Sequence, residues 1–201
     1  MKQIRLDMGQ VISAQPAKIY PNDSWDETYD NQVPEISRGQ VQVEYTAHPD
    51  ALFHLEGGST VPVSELTGGR ASGWLTPISP SSQRVKIQVV EKGSRQPVAV
   101  KLHLHGESGE YLPPVDHHRI PNGTWFEDYG AEYLHQRRHF CAYIPGEALV
   151  DLPVGKVYLE VSKGFEIEPV RKVMRVRPDT ESITVEIEKV LNWREKNWVN
   201  R

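Results

Sequence analysis

The sequence predicts an all-β protein, an antiparallel β-sandwich with an additional N-terminal β portion and a long aromatic loop. Three observations lead there. Apolar and polar residues alternate in short runs through the second half of the chain. Each run is bounded by Gly, Pro, Asn or Asp, and the 15 Gly and 15 Pro act as turn-formers. No stretch carries a sustained helical period that would cover a sheet from outside, so the apolar strand faces must bury against a second sheet.

The strands follow in order. Arg84 to Glu91 carries Val85, Ile87 and Val89 on one face; Pro97 to His105 carries Val98, Val100, Leu102 and Leu104, with Lys101, His103 and His105 opposite. Lys92 to Gln96 between them predicts a hairpin. A second hairpin is expected where Ala148, Val150 and Leu152 lead through Pro153-Val154-Gly155 to Val157, Leu159 and Val161. A third is expected to join Val170–Arg177 to Ser182–Val190 across Pro178 to Glu181. That makes six strands between about residues 84 and 190, with a long connection from Gly106 to Pro145 after the second.

The first eighty residues are less regular. Extended pieces are expected at Gln10–Tyr20 and Gly39–Ala47, with an ordered aromatic loop at Pro21–Pro34 between them and turns at Glu56–Thr60 and Thr67–Arg70. The Pro- and Ser-rich stretch Thr76–Gln83 is read as a boundary. The expected organisation is therefore an N-terminal β-rich portion over 1–80, a sandwich over 81–192, and a linker or tail over 193–201.

Composition narrows function. At 201 residues the chain is long enough to bury about 70% of its unfolded surface without a staple. A formal net charge of −4 supplies no basic field for phosphates or anionic lipid, so neither nucleic acid nor a membrane is an expected partner. No apolar run approaches the ~20 residues of a membrane helix. The basic run Arg171, Lys172, Arg175 and Arg177 alternates with Val173, Met174 and Val176 and reads as the solvent face of a strand rather than a phosphate site. Cys141, the single cysteine, sits among Phe140, Ala142 and Tyr143 and reads as a small buried hydrophobe; it leaves the compartment open.

Six of the eight histidines fall between His103 and His139, the main chemical anomaly. Residues two apart on a strand share a face, so His103 and His105 can approach one divalent metal, with Glu110, His117 or His118 completing the set. His103-x-His105-x4-Glu110 is similar to the first half of a cupin-type metal motif. The rest of that motif is missing: no Gly stands at the expected place after Glu110, and neither Pro121-Asn122-Gly123 nor Pro153-Val154-Gly155 is followed by the required His. The competing reading is a polar strand face without metal. A metal-dependent hydrolase or oxygenase on His103, His105 and Glu110 is the enzyme alternative. Glu127 and Asp128 beside Trp125, Tyr129 and Tyr133 offer a different site, stacking and paired hydrogen bonds for a carbohydrate or other polar ligand, against the plainer reading that these aromatics pin the loop down. No G-x-S-x-G, phosphate-binding loop, dinucleotide fingerprint or C-x-x-C is present, so no catalytic residues are assigned.

A resemblance rests on Arg95-Gln96-Pro97-Val98, Gly109-Glu110-Tyr111-Leu112-Pro113-Pro114, Trp125-Phe126-Glu127-Asp128-Tyr129-Gly130, and the run Asp151-Leu152-Pro153-Val154-Gly155 through Gly164-Phe165-Glu166. Gln83 to Lys189 resembles the β-sandwich that precedes the catalytic domain of CehA/McbA-type PHP metallohydrolases. That sandwich is similar in turn to transthyretin-like and carboxypeptidase regulatory-like domains. The resemblance implies a transthyretin-like (prealbumin-like) fold and an accessory role: positioning, oligomerising, or supporting substrate binding for a PHP-type partner domain or protein, with a homo-oligomer among the possibilities. In that family the metal site opens with Thr-His-x-His beyond the sandwich. The sequence here stops at Arg201 before such a motif, so no residue of that site is carried over.

Overall fold

The structure, a computed structural model, describes residues 3–20, 34–122, 131–135 and 139–191, and for 118–122 and 131–135 the backbone alone. It is all-β. Among the described residues the strands are β1 (Ile4–Leu6), β2 (Gly9–Ile19), β3 (Glu35–Ala47), β4 (Leu52–Leu55), β5 (Thr60–Pro62), β6 (Ser81–Glu91), β7 (Val100–Gly106), β8 (His118–Asn122), β9 (Ala131–His135), β10 (His139–Ile144), β11 (Glu147–Pro153), β12 (Gly155–Ser162), β13 (Val170–Val176) and β14 (Ser182–Ile187), with one short helix, α1 (Val63–Thr67), after β5. The chain divides into two compact units, Met1–Ala17 with Ser37–Ser79, and Lys18–Ile36 with Pro80–Arg201. The units interleave in sequence, because the segment from Lys18 belongs with the second.

In the smaller unit β1, β4 and β5 form an antiparallel sheet. Phe53, Leu55, Val61, Val63 and Leu66 fill its core, and Tyr45 meets Phe53 edge-on at 4.9 Å. Asp7 fastens β1 to β4 by accepting the Leu52 N–H at 2.8 Å and contacting His54 Nε2 at 3.0 Å. The backbone bond, with help from His54, lowers its pKa to about 2.

The larger unit is a two-sheet, sandwich-like arrangement. One sheet runs β13-β12-β7-β10-β9-β8 and the other β11-β6-β14. Pairing is antiparallel except for β14 on β6 and β8 on β9. Val85, Ile87 and Val89 of β6 meet Leu102 and Leu104 of β7 and Val157, Leu159 and Val161 of β12 in one continuous core, joined by Val150, Leu152, Val185 and Ile187. Each of these side chains contributes about 1.5–3 kcal/mol by leaving water.

All three expected hairpins are corrected. β6 and β7 lie in different sheets, as do β11 and β12, and β13 and β14. The first starts as a hairpin, with Val90 bridging Pro97 and Val98 N–H bonded to Val89 carbonyl at 3.0 Å, and then crosses to the other sheet. The other two turns are corners between sheets; Gly155, at φ +135, opens the one after Pro153. Alternation states which residues face the core, and two strands can face it from opposite sides as well as from one. The long connection is corrected too. It supplies β8, β9 and β10, and β10 sits inside the large sheet against β7. Leu191 is the last described residue, so the expected C-terminal segment lies outside the described residues.

Candidate functional site: a buried histidine and tyrosine cluster

β7 alternates with two buried faces. Leu102 and Leu104 point into the sandwich, while His103 and His105 point to the outer face of the six-stranded sheet. The sequence places the histidines on a polar strand face outside the apolar core, and the structure keeps them outside it, but that face is covered here: both rings are at most 1% exposed. What covers them is aromatic.

His105 lies between two tyrosine rings. Tyr20, from the end of β2, stacks on it at 3.7 Å and 15°, and Tyr158, its register partner on β12, at 4.8 Å and 7°. His103 lies between His139 at 3.7 Å and Tyr111 at 6.2 Å. Tyr20 reaches over both, meeting His139 edge-on with its hydroxyl 3.3 Å from Nδ1.

The hydrogen bonds fix the proton positions. His103 Nδ1 meets the Phe140 carbonyl, which only accepts, so that nitrogen carries the proton. In the neutral ring Nε2 is then an acceptor, and its partner at 3.0 Å, His105 Nδ1, must donate to it. Both imidazoles are therefore the Nδ1–H tautomer. Burial pushes both pKa values well below the ordinary 6.5, and repulsion from His105 adds to the effect on His103, from His139 to that on His105.

The buried carboxylate on this face is paired. Glu160 stands opposite His103 on one side and Arg171 on the other, and its Oε2 accepts from Arg171 Nε at 2.8 Å with both side chains 6% exposed. The expected solvent exposure of Arg171 is corrected accordingly; Lys172, Arg175 and Arg177 are exposed. Lys18 places its ammonium 3.8 Å above the Phe140 ring. Burial pushes the Cys141 thiol up to about 12, so it is a packed thiol rather than a nucleophile.

One glycine lets the segment Lys18–Tyr20 dock, and a second lets the 106–110 turn close. A side chain at Gly109, φ +77, would sit 2.1 Å from the Lys18 carbonyl oxygen. One at Gly106 would overlap the Glu110 carboxylate, which accepts the Ser108 N–H at 3.0 Å and closes the 106–110 turn. Burial raises the Glu110 pKa.

The sequence-derived metal set is thus only partly brought together. His103 and His105 meet, but through each other's nitrogens; Glu110 is engaged with its own turn; His117 donates from Nε2 to the Tyr143 carbonyl at 3.2 Å. His118 opens β8, and its side chain lies outside the described residues. Among the described residues no three His, Cys, Asp or Glu side chains are placed to hold a metal ion. Of the loop candidates, Trp125, Glu127, Asp128 and Tyr129 lie outside the described residues, and Tyr133 is described only by its backbone, opposite Cys141. Tyr20, Tyr111, Tyr158 and Glu160 have no site role in the sequence reading, and Arg171 has only that of an exposed strand residue. The available signal was strand parity: register puts Tyr158 and Glu160 on the face of His105 and His103.

No protein-family model and no curated protein matches this chain. No helix among the described residues is long and apolar enough to cross a membrane.

Proposed function

We propose that this chain is a non-catalytic accessory β protein whose larger unit is a transthyretin-like sandwich serving to position, oligomerise or support substrate binding for a PHP-type metallohydrolase. The observation that carries the non-catalytic reading is the use made of His103 and His105. Their ring faces are occupied by aromatic side chains, and two of their four nitrogens are spent on each other. They form a second, polar core that fastens Lys18–Tyr20 to the sheet. The two-sheet, mainly antiparallel arrangement supports the transthyretin-like reading, and the motifs from Arg95 to Glu166 support the PHP association.

The test is reconstitution. The chain purified without an affinity tag is expected to carry no stoichiometric transition metal and no hydrolase activity, and to raise or localise activity when joined to a PHP catalytic domain. One tightly held metal ion per chain, or robust hydrolysis by the chain alone, overturns the reading.

A further inference from the structure

The outer face of the six-stranded sheet does not stay closed along its whole length. Register places three residues in one row across β12, β7 and β10: Ser162 opposite Lys101, and Lys101 opposite Tyr143. Side chains opposite one another on neighbouring strands share a face. One row further along, Glu160 and His103 are buried, whereas Lys101 and Ser162 are half-buried and Tyr143 is 46% exposed. At this end the sheet borders a groove of about 570 Å³. That is the size of a small-molecule site.

Its chemistry is one-sided. Pro145 and Ala99 supply apolar wall, Lys101 and Lys163 supply two ammonium groups, and no carboxylate lines it among the described residues. Among the described residues neither ammonium is held in an ion pair. Ser162 and Tyr143 add hydroxyl groups in the same row as Lys101. His117, its side chain 9% exposed, steadies the Tyr143 wall by donating to that residue's carbonyl.

We propose that this groove binds an organic carboxylate with an apolar body, the carboxylate held between Lys101 and Lys163 and the body laid along Ala99, Pro145 and the Tyr143 ring. The charge of the groove selects an anion, and its apolar wall distinguishes such a ligand from a bare inorganic anion. The site is independent of the accessory role proposed above.

The probe is 2-naphthoate, titrated calorimetrically into the full chain beside its neutral analogue 2-naphthamide. The expected result is one site per chain, with the amide and the Lys101→Met variant each weaker by about tenfold, the loss expected for one charge-assisted contact. Lys163→Met, an exposed position that leaves the fold alone, is expected to weaken binding several-fold, and Lys156→Met, at the far end of β12, to leave it unchanged. Excess inorganic phosphate is expected not to displace the probe. No binding at millimolar naphthoate, equal binding of the amide, displacement by phosphate, or equal behaviour of the Lys101, Lys163 and Lys156 variants would overturn the proposal.

Discussion

His105 donates from Nδ1 to Nε2 of His103 across 3.0 Å, so the two imidazoles form a directed chain that ends on the Phe140 carbonyl. The arrangement needs both rings neutral. A proton on His103 Nε2 would set it against the N–H of His105, with both rings buried.

This gives stability a pH dependence. In the unfolded chain both histidines titrate near 6.5, whereas in the fold burial holds them well below that. Below pH 6.5 the unfolded chain therefore binds more protons than the folded one, and stability falls as pH falls from 6.5 towards the folded pKa values; above 6.5 it is flat. The limiting slope is about 1.4 kcal/mol per pH unit for each histidine. Glu110, whose pKa is raised, works in the opposite direction at lower pH. Urea unfolding at pH 7.5, 6.5, 6.0 and 5.5 should show a plateau and then a decline, and stability that holds or rises through this range would contradict it.

Removing the cover should cost more than removing its hydroxyl. Tyr20→Ala strips the ring from His105 and is expected to destabilise by about 3–5 kcal/mol, and Tyr20→Phe by about 1 kcal/mol because the ring stays and the hydroxyl's contact to His139 is lost. Gly109→Ala, which pushes against the Lys18 carbonyl, should loosen the same segment. Amide hydrogen exchange at residues 18–20 reads the effect directly; unchanged protection in Tyr20→Ala and Gly109→Ala would show that the segment is held some other way.

The Glu160–Arg171 pair makes a separate prediction. Breaking it from one side, by Arg171→Met or Glu160→Leu, leaves a charge buried and is expected to cost about 3–5 kcal/mol. The double variant is expected to recover most of that loss, because two apolar side chains need no compensation there. A double-mutant cycle from denaturant unfolding checks this, and additive losses would contradict it.

Face was legible in the sequence and partnership was not. Val85, Val100, Leu159 and Val185 all point inward as their alternation predicts, and all four share one core. Alternation is blind to which sheet a strand joins, so Val85 and Val100, expected as hairpin neighbours, approach that core from opposite sheets. β10 escaped because His139 to Ile144 is apolar or aromatic almost throughout; a strand buried on both faces has no alternation to detect. The site was half legible. The spacing of His103 and His105 put them on one face, but Tyr20 arrives from more than eighty positions upstream, and only folding brings it onto His105.

The central claim, that these histidines are a polar core and not ligands, is tested most directly by long-range proton–nitrogen correlation NMR of the imidazoles at pH 7. The expected spectrum shows His103 and His105 both neutral with the proton on Nδ1, unchanged on adding one equivalent of zinc. Either ring in the Nε2–H form, or nitrogen shifts of metal ligation on titration with zinc, would contradict it.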